Sequence, residues 1–509
     1  MRILTLILIV MLSIFSSGAN INKSSVTYKQ HIEKNIYLNS TEPISNLTFD
    51  DLTELSRHSE PTGALKEKLN VLLSKPYIVN RKYDSVLNKT YLRIAQWNIK
   101  RGFNADALRD ILVNPDKYQS NHVLKIKKRD VTKLRDELNI FSTSDIICLN
   151  EIDIGMPRTK YKNIVSEIAD PLNWNYAFAT EFVEVGPILF KTKTGIDKDK
   201  YKGLHGNAVI SRFPILSTKV IRLPDAYDWY KEEINKRQSP LEHIRKFGAK
   251  SIFSESIIPH ELRHGGRQAL VVDIKLPTSQ VITVALTHLE DRAYPDERFK
   301  QFKYLLESLK DIKNPLVLAG DFNTSTTDTK PTNFKKEVYK RIRDPDFLMR
   351  QAAFLPVPLV PVVGGVTAVA FSKLLQYKDP FFPNIPIIFP NHERKFYTYL
   401  KEFRFNDGYS FDLSGDKKHS SNGKAGLLAN SNQRHWKGFK STFKFEKPRI
   451  IAYFKLDWFF IKPIVNVNVN VNGNGKEFLP FNGRTLKILN HSFPGHISDH
   501  NLLTVDLKI

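Results

Sequence analysis

A series of short Val- and Ile-rich runs, each closed by a polar side chain, limits the folds open to this chain more than any other feature. The runs fall at 92–97, 145–149, 207–211, 269–274, 281–287, 315–319, 450–461 and 502–507. Turn-forming or charged residues bound each one, which is a strand signature. Amphipathic stretches lie between some of them. In Glu297–Leu309 the residues Phe302, Leu305, Leu306 and Leu309 recur at helical spacing. This alternation predicts layered α/β architecture. With 509 residues, several times the ~150 used as a prior for one domain, the chain can bury a full core unaided.

The polar closers have a common character. Asn98 closes LRIAQWN, Glu151 closes DIICLNE, and His288 follows ITVALT. Asp321 and Asn323 close LVLAGDFN, Asp457 lies inside YFKLDWFF, and Asp499 and His500 stand in ISDHN just before the last strand. One acid at a strand end is ordinarily a turn former or a helix cap. So many carboxylates, amides and imidazoles at strand ends suit a ligand site, because a sheet holds short side chains there rigidly. Glu151 with Asp499 or Asp321, and Asn98 as a neutral ligand, form an oxygen-rich set. Such a set favours Mg²⁺ or Mn²⁺, with Ca²⁺ next, over Zn²⁺. Two histidines near carboxylates can act as acid, as base or as stabilisers of phosphate charge. Metal, oriented water and imidazole together are what phosphoester hydrolysis requires.

These residues carry a resemblance to the endonuclease/exonuclease/phosphatase superfamily. It rests on WN at 97–98, LNE at 149–151, GNAVISRFPI at 206–215, THLED at 287–291, GDFN at 320–323, KLDWFF at 455–460 and SDHN at 498–501. The resemblance implies a four-layer sandwich of two packed mixed β-sheets flanked by helices. It also implies roles. Glu151 looks like the principal metal ligand, helped by Asn98, and Asp499 like a second carboxylate on the metal side. Asp321 looks like the residue that orients or deprotonates the attacking water, and Asn323 like a donor to the scissile phosphate. His500 looks like the imidazole beside the phosphate, with Asp457 holding its tautomer. His288 resembles a second histidine of the deoxyribonuclease and phosphodiesterase branches. Asn207 falls at a substrate-contacting position.

The rest of the chain departs from a compact core of that type. Residues 1–19 read as a secretory signal, with Arg2, an apolar run and small residues at Ser17 and Ala19, and an uncleaved membrane anchor as the alternative; the expected location is secreted or periplasmic. Residues 20–90 read as an N-terminal extension. The catalytic-type domain is expected over 91–344 and 449–509, interrupted by an insertion lobe at 345–448. That lobe interleaves basic and aromatic residues, as in HERKFYTYLKEFRF and NQRHWKGFKSTFKFEKPR. Such a surface can stack bases and neutralise phosphates, lie on lipid head groups, or belong to an ordinary folded lobe. Ala352–Ser372 carries no charge, but Pro356, Pro358, Pro361 and Gly364-Gly365 make it a poor helix. It reads as a buried or membrane-dipping insert, which makes 351–375 the candidate for membrane-surface contact. Val465–Asn474, VNVNVNVNGN, reads as an edge strand or hairpin.

Composition narrows the partners. Lys and Arg number 76 against 53 Asp and Glu, a formal charge of +23, which favours anionic partners. The single cysteine, Cys148, excludes an intramolecular disulfide and a Cys-based zinc site. HELRH at His260–His264 matches a zinc-protease pattern, yet Pro259 and Gly265-Gly266 leave no room for the helix that pattern needs. Ser498 beside His500 is no triad, since adjacent side chains on an extended strand end diverge. The reading is therefore a metal-dependent phosphodiesterase of nuclease-like type acting on an anionic substrate such as nucleic acid. The alternatives are a lipid or inositol phosphodiesterase or phosphatase of the sphingomyelinase type, and a catalytically inactive module that binds anionic surfaces.

Overall fold

The computed structural model describes residues 44–81, 89–123, 126–190, 195–237, 261–293, 295–324, 394–413, 439, 442–445, 452–465, 476–494 and 496–509. Residues 1–43, with the stretch that reads as a signal, the apolar segment Ala352–Ser372 and most of the 345–448 stretch lie outside them. Among the described residues, no helix is long and apolar enough to cross a membrane.

The strands, in chain order, begin with β1 (Tyr77–Val79), β2 (Tyr91–Asn98), β3 (Ile146–Ile154), β4 (Asn175–Glu184), β5 (Leu204–Ser211) and β6 (Ile215–Arg222). Next come β7 (Arg263–Gly265), β8 (Gln268–Lys275), β9 (Val281–His288), β10 (Leu316–Asp321), β11 (Phe443–Phe445) and β12 (Ala452–Phe454). The last are β13 (Asp457–Lys462), β14 (Ile464–Val465), β15 (Lys476–Glu477), β16 (Pro480–Leu486) and β17 (Leu502–Lys508). One sheet runs β1-β4-β5-β3-β2-β17-β16, with β7 added on β4; the second runs β13-β10-β9-β8-β6. Each sheet is antiparallel except for one parallel pair, β2/β3 in the first and β9/β10 in the second.

Period-two patterning explains the layers. Along β2, Leu92 and Ile94 belong to the core between the sheets, whereas Ala95 and Trp97 belong to the core under the helices. The inter-sheet core continues through Ile146, Cys148, Val209, Val272, Val284, Val317 and Ile461. On the outer face of the first sheet, helices Ala105–Val113, Val131–Ser142 and Ile164–Ala169 contribute Leu108, Ile111, Leu134, Leu138, Phe141 and Ile168. On the outer face of the second, helix Pro295–Ser308 brings Phe302, Leu305 and Leu306 to zero exposure. Each such side chain contributes about 1.5–3 kcal/mol by leaving water. The result is the expected sandwich of helices, sheet, sheet and helices.

The described residues outside the core segments dock closely on it. β1 pairs with β4 through Tyr77↔Phe178 and Val79↔Tyr176, so residues ahead of 91 supply a sheet edge. Helix Arg394–Glu402 stacks Phe396 on Phe302 with ring centroids 3.5 Å apart. β14 and β15 pair antiparallel on either side of the VNVN repeat, which itself lies outside the described residues apart from Val465. The HELRH motif forms no helix where described: Arg263–Gly265 is a strand, and His264 Nε2 lies 2.8 Å from the Leu55 carbonyl. Cys148 is buried and free, and burial pushes its thiol up out of the reactive range.

Candidate active site

At one end of the sandwich, the inward-facing positions change from apolar to polar. Strand β2 continues Leu92 and Ile94 with Gln96 and Asn98, and β3 continues Ile146 and Cys148 with Asn150. Strand β9 passes from Leu286 to His288, β10 from Ala319 to Asp321, and β13, running the other way, from Phe459 to Asp457. Register then aligns them: Asp321 pairs with His288 on one side and with Asp457 on the other, and Asn98 pairs with Asn150. One glycine permits this. Gly320 has φ +144°, and a Cβ there would lie 1.8 Å from the Thr287 carbonyl oxygen, so β9 and β10 close up between His288 and Asp321.

Asp321, Asp457 and His500 form a buried cluster whose ligand atoms lie within 4.8 Å of one another. His500 Nδ1 donates to Asp457 Oδ2 at 2.7 Å, and Gln96 Nε2 donates to Asp457 Oδ1 at 3.0 Å. Both Asp457 oxygens are thus spent on N–H donors, which makes the trio a proton-holding assembly. His500 Nε2 lies 3.7 Å from Asp321 Oδ2. Burial works against a charged imidazole, yet Asp457, Asp321 and the Asp457 hydrogen bond carry His500 up to about 10. Burial opposes the Asp457 carboxylate too, but His500 holds it below the usual range. Burial with Asp457 nearby pushes Asp321 up to about 7, against the pull of His500.

The loop that carries His500 is locked from below. Ser498 Oγ donates to the Asn98 carbonyl at 2.6 Å, and the His500 carbonyl accepts from Trp97 Nε1 and Asn490 Nδ2, each at 2.9 Å. Residues 442 and 443 wall it from the side. Thr442 Oγ1 accepts from the backbone N–H groups of Leu456 and Asp457, at 3.0 and 3.2 Å. The Thr442 carbonyl accepts from the Asn501 N–H at 2.6 Å. The Phe443 ring centroid is 4.9 Å from that of His500.

His288 occupies a different pocket. Its Nδ1 lies 2.8 Å from Arg267 Nη1, its Nε2 lies 3.1 Å from Asn323 Nδ2, and Nε2 is 3.6 Å from Asp321 Oδ2. Arg267 also bonds Glu181, Glu290 and Asp291, each at 3.2 Å. Burial, and then the Arg267 charge, push His288 well below the ordinary imidazole range. Asn323 is held by its own backbone N–H to Asp321 Oδ1 (2.9 Å) and by Nδ2 to the Leu289 carbonyl (2.9 Å).

Glu151 and Asp499 are the more open carboxylates. Glu151 sits where the β3–β5 register shifts, with φ +57°, a bulge conformation that costs backbone strain and re-aims the side chain. Asn98 Nδ2 donates to Glu151 Oε1 at 3.1 Å and to Asp321 Oδ2 at 3.0 Å, while its Oδ1 accepts from the Lys100 N–H. Asn98 therefore ties two carboxylates together, and it would have to turn to offer its oxygen to a cation. The Asp499 side chain is 37 % exposed, 3.8 Å from Lys100 Nζ, and linked to Asn98 through Ser498. Hard oxygen donors gathered around Asn98 fit a divalent cation of the Mg²⁺ class.

Of the sequence-derived residues, eight therefore gather at this end: Asn98, Glu151, His288, Asp321, Asn323, Asp457, Asp499 and His500. Asn207 is fully buried behind them and accepts from Asn150 Nδ2 at 2.8 Å. Sequence reasoning passed over Gln96, Asn150, Glu181 and Arg267. Asn150 ties the two sheets, accepting from Gln96 Nε2 and the Asp321 N–H and donating to the Thr287 carbonyl. The signal for Gln96 and Asn150 was available: each lies two residues beyond an apolar inward position. Glu181 lies in β4, whose sequence NYAFATEFVE carries no Val- or Ile-rich run.

Comparison with solved structures finds weak likenesses along most of the chain. An endonuclease/exonuclease/phosphatase from Beutenbergia cavernae is 16% identical, with a TM-score of 0.36, over 83% of this chain and 72% of that one. The 3'-5' exonuclease NExo from Neisseria meningitidis is 11% identical, with a TM-score of 0.37, over 82% and 100%. An AP endonuclease from Archaeoglobus fulgidus is 10% identical, with a TM-score of 0.36, over 82% and 100%. No curated protein matches the chain. The Endonuclease/Exonuclease/phosphatase family matches residues 95–500, a span that holds every site residue from Asn98 to His500, and the chain belongs to that family.

Proposed function

We propose that this protein is an exported, Mg²⁺- or Mn²⁺-dependent phosphodiesterase of nuclease-like type, which hydrolyses its ester by in-line attack of water. The observation that carries the reading is the meeting of two imidazoles on one carboxylate oxygen, Asp321 Oδ2, beside open carboxylates at Glu151 and Asp499. The family's phosphoester chemistry and the +23 formal charge support it.

Each side chain has a task that its surroundings suit. Asp321, with a carboxyl near neutrality, can hold and deprotonate the attacking water. His500, kept charged by Asp457, donates from Nε2 to a phosphate oxygen and lowers the cost of the extra charge in the transition state. Asn323 and His288 present further polar groups on the same side. Glu151, Asp499 and Asn98 would hold the divalent cation, which when bound supplies neutralisation of the non-bridging oxygens.

The test is turnover of plasmid DNA, sphingomyelin vesicles and bis(p-nitrophenyl) phosphate with and without Mg²⁺ or Mn²⁺. Glu151→Ala is expected to lose metal-dependent turnover. Nicking of DNA that weakens steeply with salt would mark a nuclease, and vesicle-dependent activity would mark a lipid phosphodiesterase. Absence of metal-dependent turnover on all three would overturn the reading and leave a module that binds anionic surfaces.

A further inference from the structure

The contacts on His288 constrain its protons. Arg267 is only ever a donor, so its 2.8 Å contact requires a bare Nδ1 and places the single ring proton of a neutral imidazole on Nε2. The Arg267 guanidinium cannot easily turn away, because Glu181, Glu290 and Asp291 all bind it and its side chain is only 3 % exposed. Glu181 Oε2 is 3.8 Å from His288 Nδ1, beyond hydrogen-bond reach, so the arginine takes the place a carboxylate would need in order to back this histidine. On the other side of the ring, Asn323 Nδ2 stands 3.1 Å from Nε2, and Nδ2 also donates to the Leu289 carbonyl. That hydrogen bond fixes which end of the amide faces the ring. With a proton on Nε2, two N–H donors face one another. An anionic oxygen seated against both would relieve the conflict, because nitrogens 3.1 Å apart can share one acceptor.

We propose that Arg267 is a positioning residue that fixes His288 as the neutral Nε2–H tautomer, so that His288 and Asn323 act as a paired N–H clamp for one phosphoryl oxygen. His288 is then a hydrogen-bond donor throughout the reaction, and proton transfer falls to Asp321 and His500. The tautomer follows from the protein alone; its use as a phosphate clamp rests on the phosphodiesterase reading.

The experiment is long-range ¹H–¹⁵N correlation of the imidazoles in the full chain, labelled with ¹⁵N-histidine. The chain has 14 histidines, so the His288 signals are assigned by their loss in His288→Gln. The expected spectrum has a protonated Nε2 and a bare Nδ1 for His288. A protonated Nδ1, or protons on both nitrogens, overturns the tautomer whether or not the protein hydrolyses anything. For the clamp, kinetics on bis(p-nitrophenyl) phosphate are compared for Arg267→Met and Arg267→Lys. Arg267→Met is expected to lower kcat roughly 10- to 100-fold, a typical cost for losing a supporting contact, with KM within about threefold. Its His288 should lose the single-tautomer signature. Arg267→Lys, which keeps a charged donor, should recover part of both. A folded Arg267→Met that keeps wild-type kcat and the Nε2–H spectrum overturns the role of Arg267. Should Arg267→Met fail to fold, the wild-type spectrum and Arg267→Lys still decide. Loss of all activity in wild type with the expected tautomer intact counts against the phosphodiesterase reading and not against the tautomer.

Discussion

His500 and His288 stand at nearly equal distances, 3.7 and 3.6 Å, from the same oxygen of Asp321. Both rings are buried, and burial alone would lower both. They nonetheless end in opposite states, because a different group sits on each Nδ1. Asp457 makes His500 a charged donor, raised to about 10. Burial, reinforced by the Arg267 charge, pushes His288 down and keeps it neutral. One carboxylate thus faces a cation on one side and a neutral ring on the other. The second contact of an imidazole, and not its distance to the reacting centre, therefore sets what it can do.

Removing the charge behind His500 should have the largest effect on turnover. Asp457→Asn keeps the shape of the side chain but not its charge, and His500→Ala removes the donor. Each is expected to lower kcat by about 10³- to 10⁴-fold, since general acid–base and transition-state charge contributions are of that size. The double variant should be little worse than either, because the pair acts as one unit. His288→Ala should cost less, about 10²-fold, the low end of losing one oxyanion donor. Steady-state kinetics on one phosphodiester check the order. If His288→Ala cost as much as His500→Ala, the two rings would share a role and the contrast would fail.

The sandwich was legible because its strands obey period two: a Val- or Ile-rich run between breakers reads the same in β2, β9 and β10 as it does in space. β4 escaped because NYAFATEFVE mixes aromatics with acids, and Glu181 looks like a surface residue until Arg267 is placed beside it. Residues 450–461 read as one run, but its described part, 452–461, falls in two strands, β12 and β13, with Lys455 and Leu456 between them. The site was legible where a strand ended on its functional side chain, as at His288 and Asp321. Arg267 lacked any such mark. Its meaning depends on Glu290 and Asp291 from the loop after β9 and on Glu181 from β4 of the other sheet, which no local pattern encodes.

A second way to disturb both rings at once acts through the backbone. Gly320→Ala forces a Cβ into the Thr287 carbonyl and sits at φ +144°, between the strands that present His288 and Asp321. The clash and the strain should destabilise the fold by at least about 1–3 kcal/mol, read as a lower midpoint in urea. Whatever folded protein remains should lose kcat with little change in binding, because β9 and β10 can no longer hold Asp321 against either imidazole. Wild-type stability in this variant would mean that the two strands have slack at this point.

Sharpest of all is the pH dependence, since the two histidines should bend stability in opposite directions with pH. His500 is raised from about 6.5 to about 10. In the window between those values the native state holds a proton that the unfolded chain releases. Its contribution is therefore full below pH 6.5 and is lost as pH rises through about 10. His288 is depressed, so below about pH 6.5 the unfolded chain takes a proton that the native pocket refuses, and stability falls as pH falls. In urea titrations of the metal-free protein, the advantage of wild type over His500→Gln should shrink with rising pH. The advantage over His288→Gln should shrink with falling pH. Each slope is bounded at about 1.4 kcal/mol per pH unit for one proton. Slopes of the same sign would show that Asp457 and Arg267 do not set the two rings apart, and the division of labour between them would have to be abandoned.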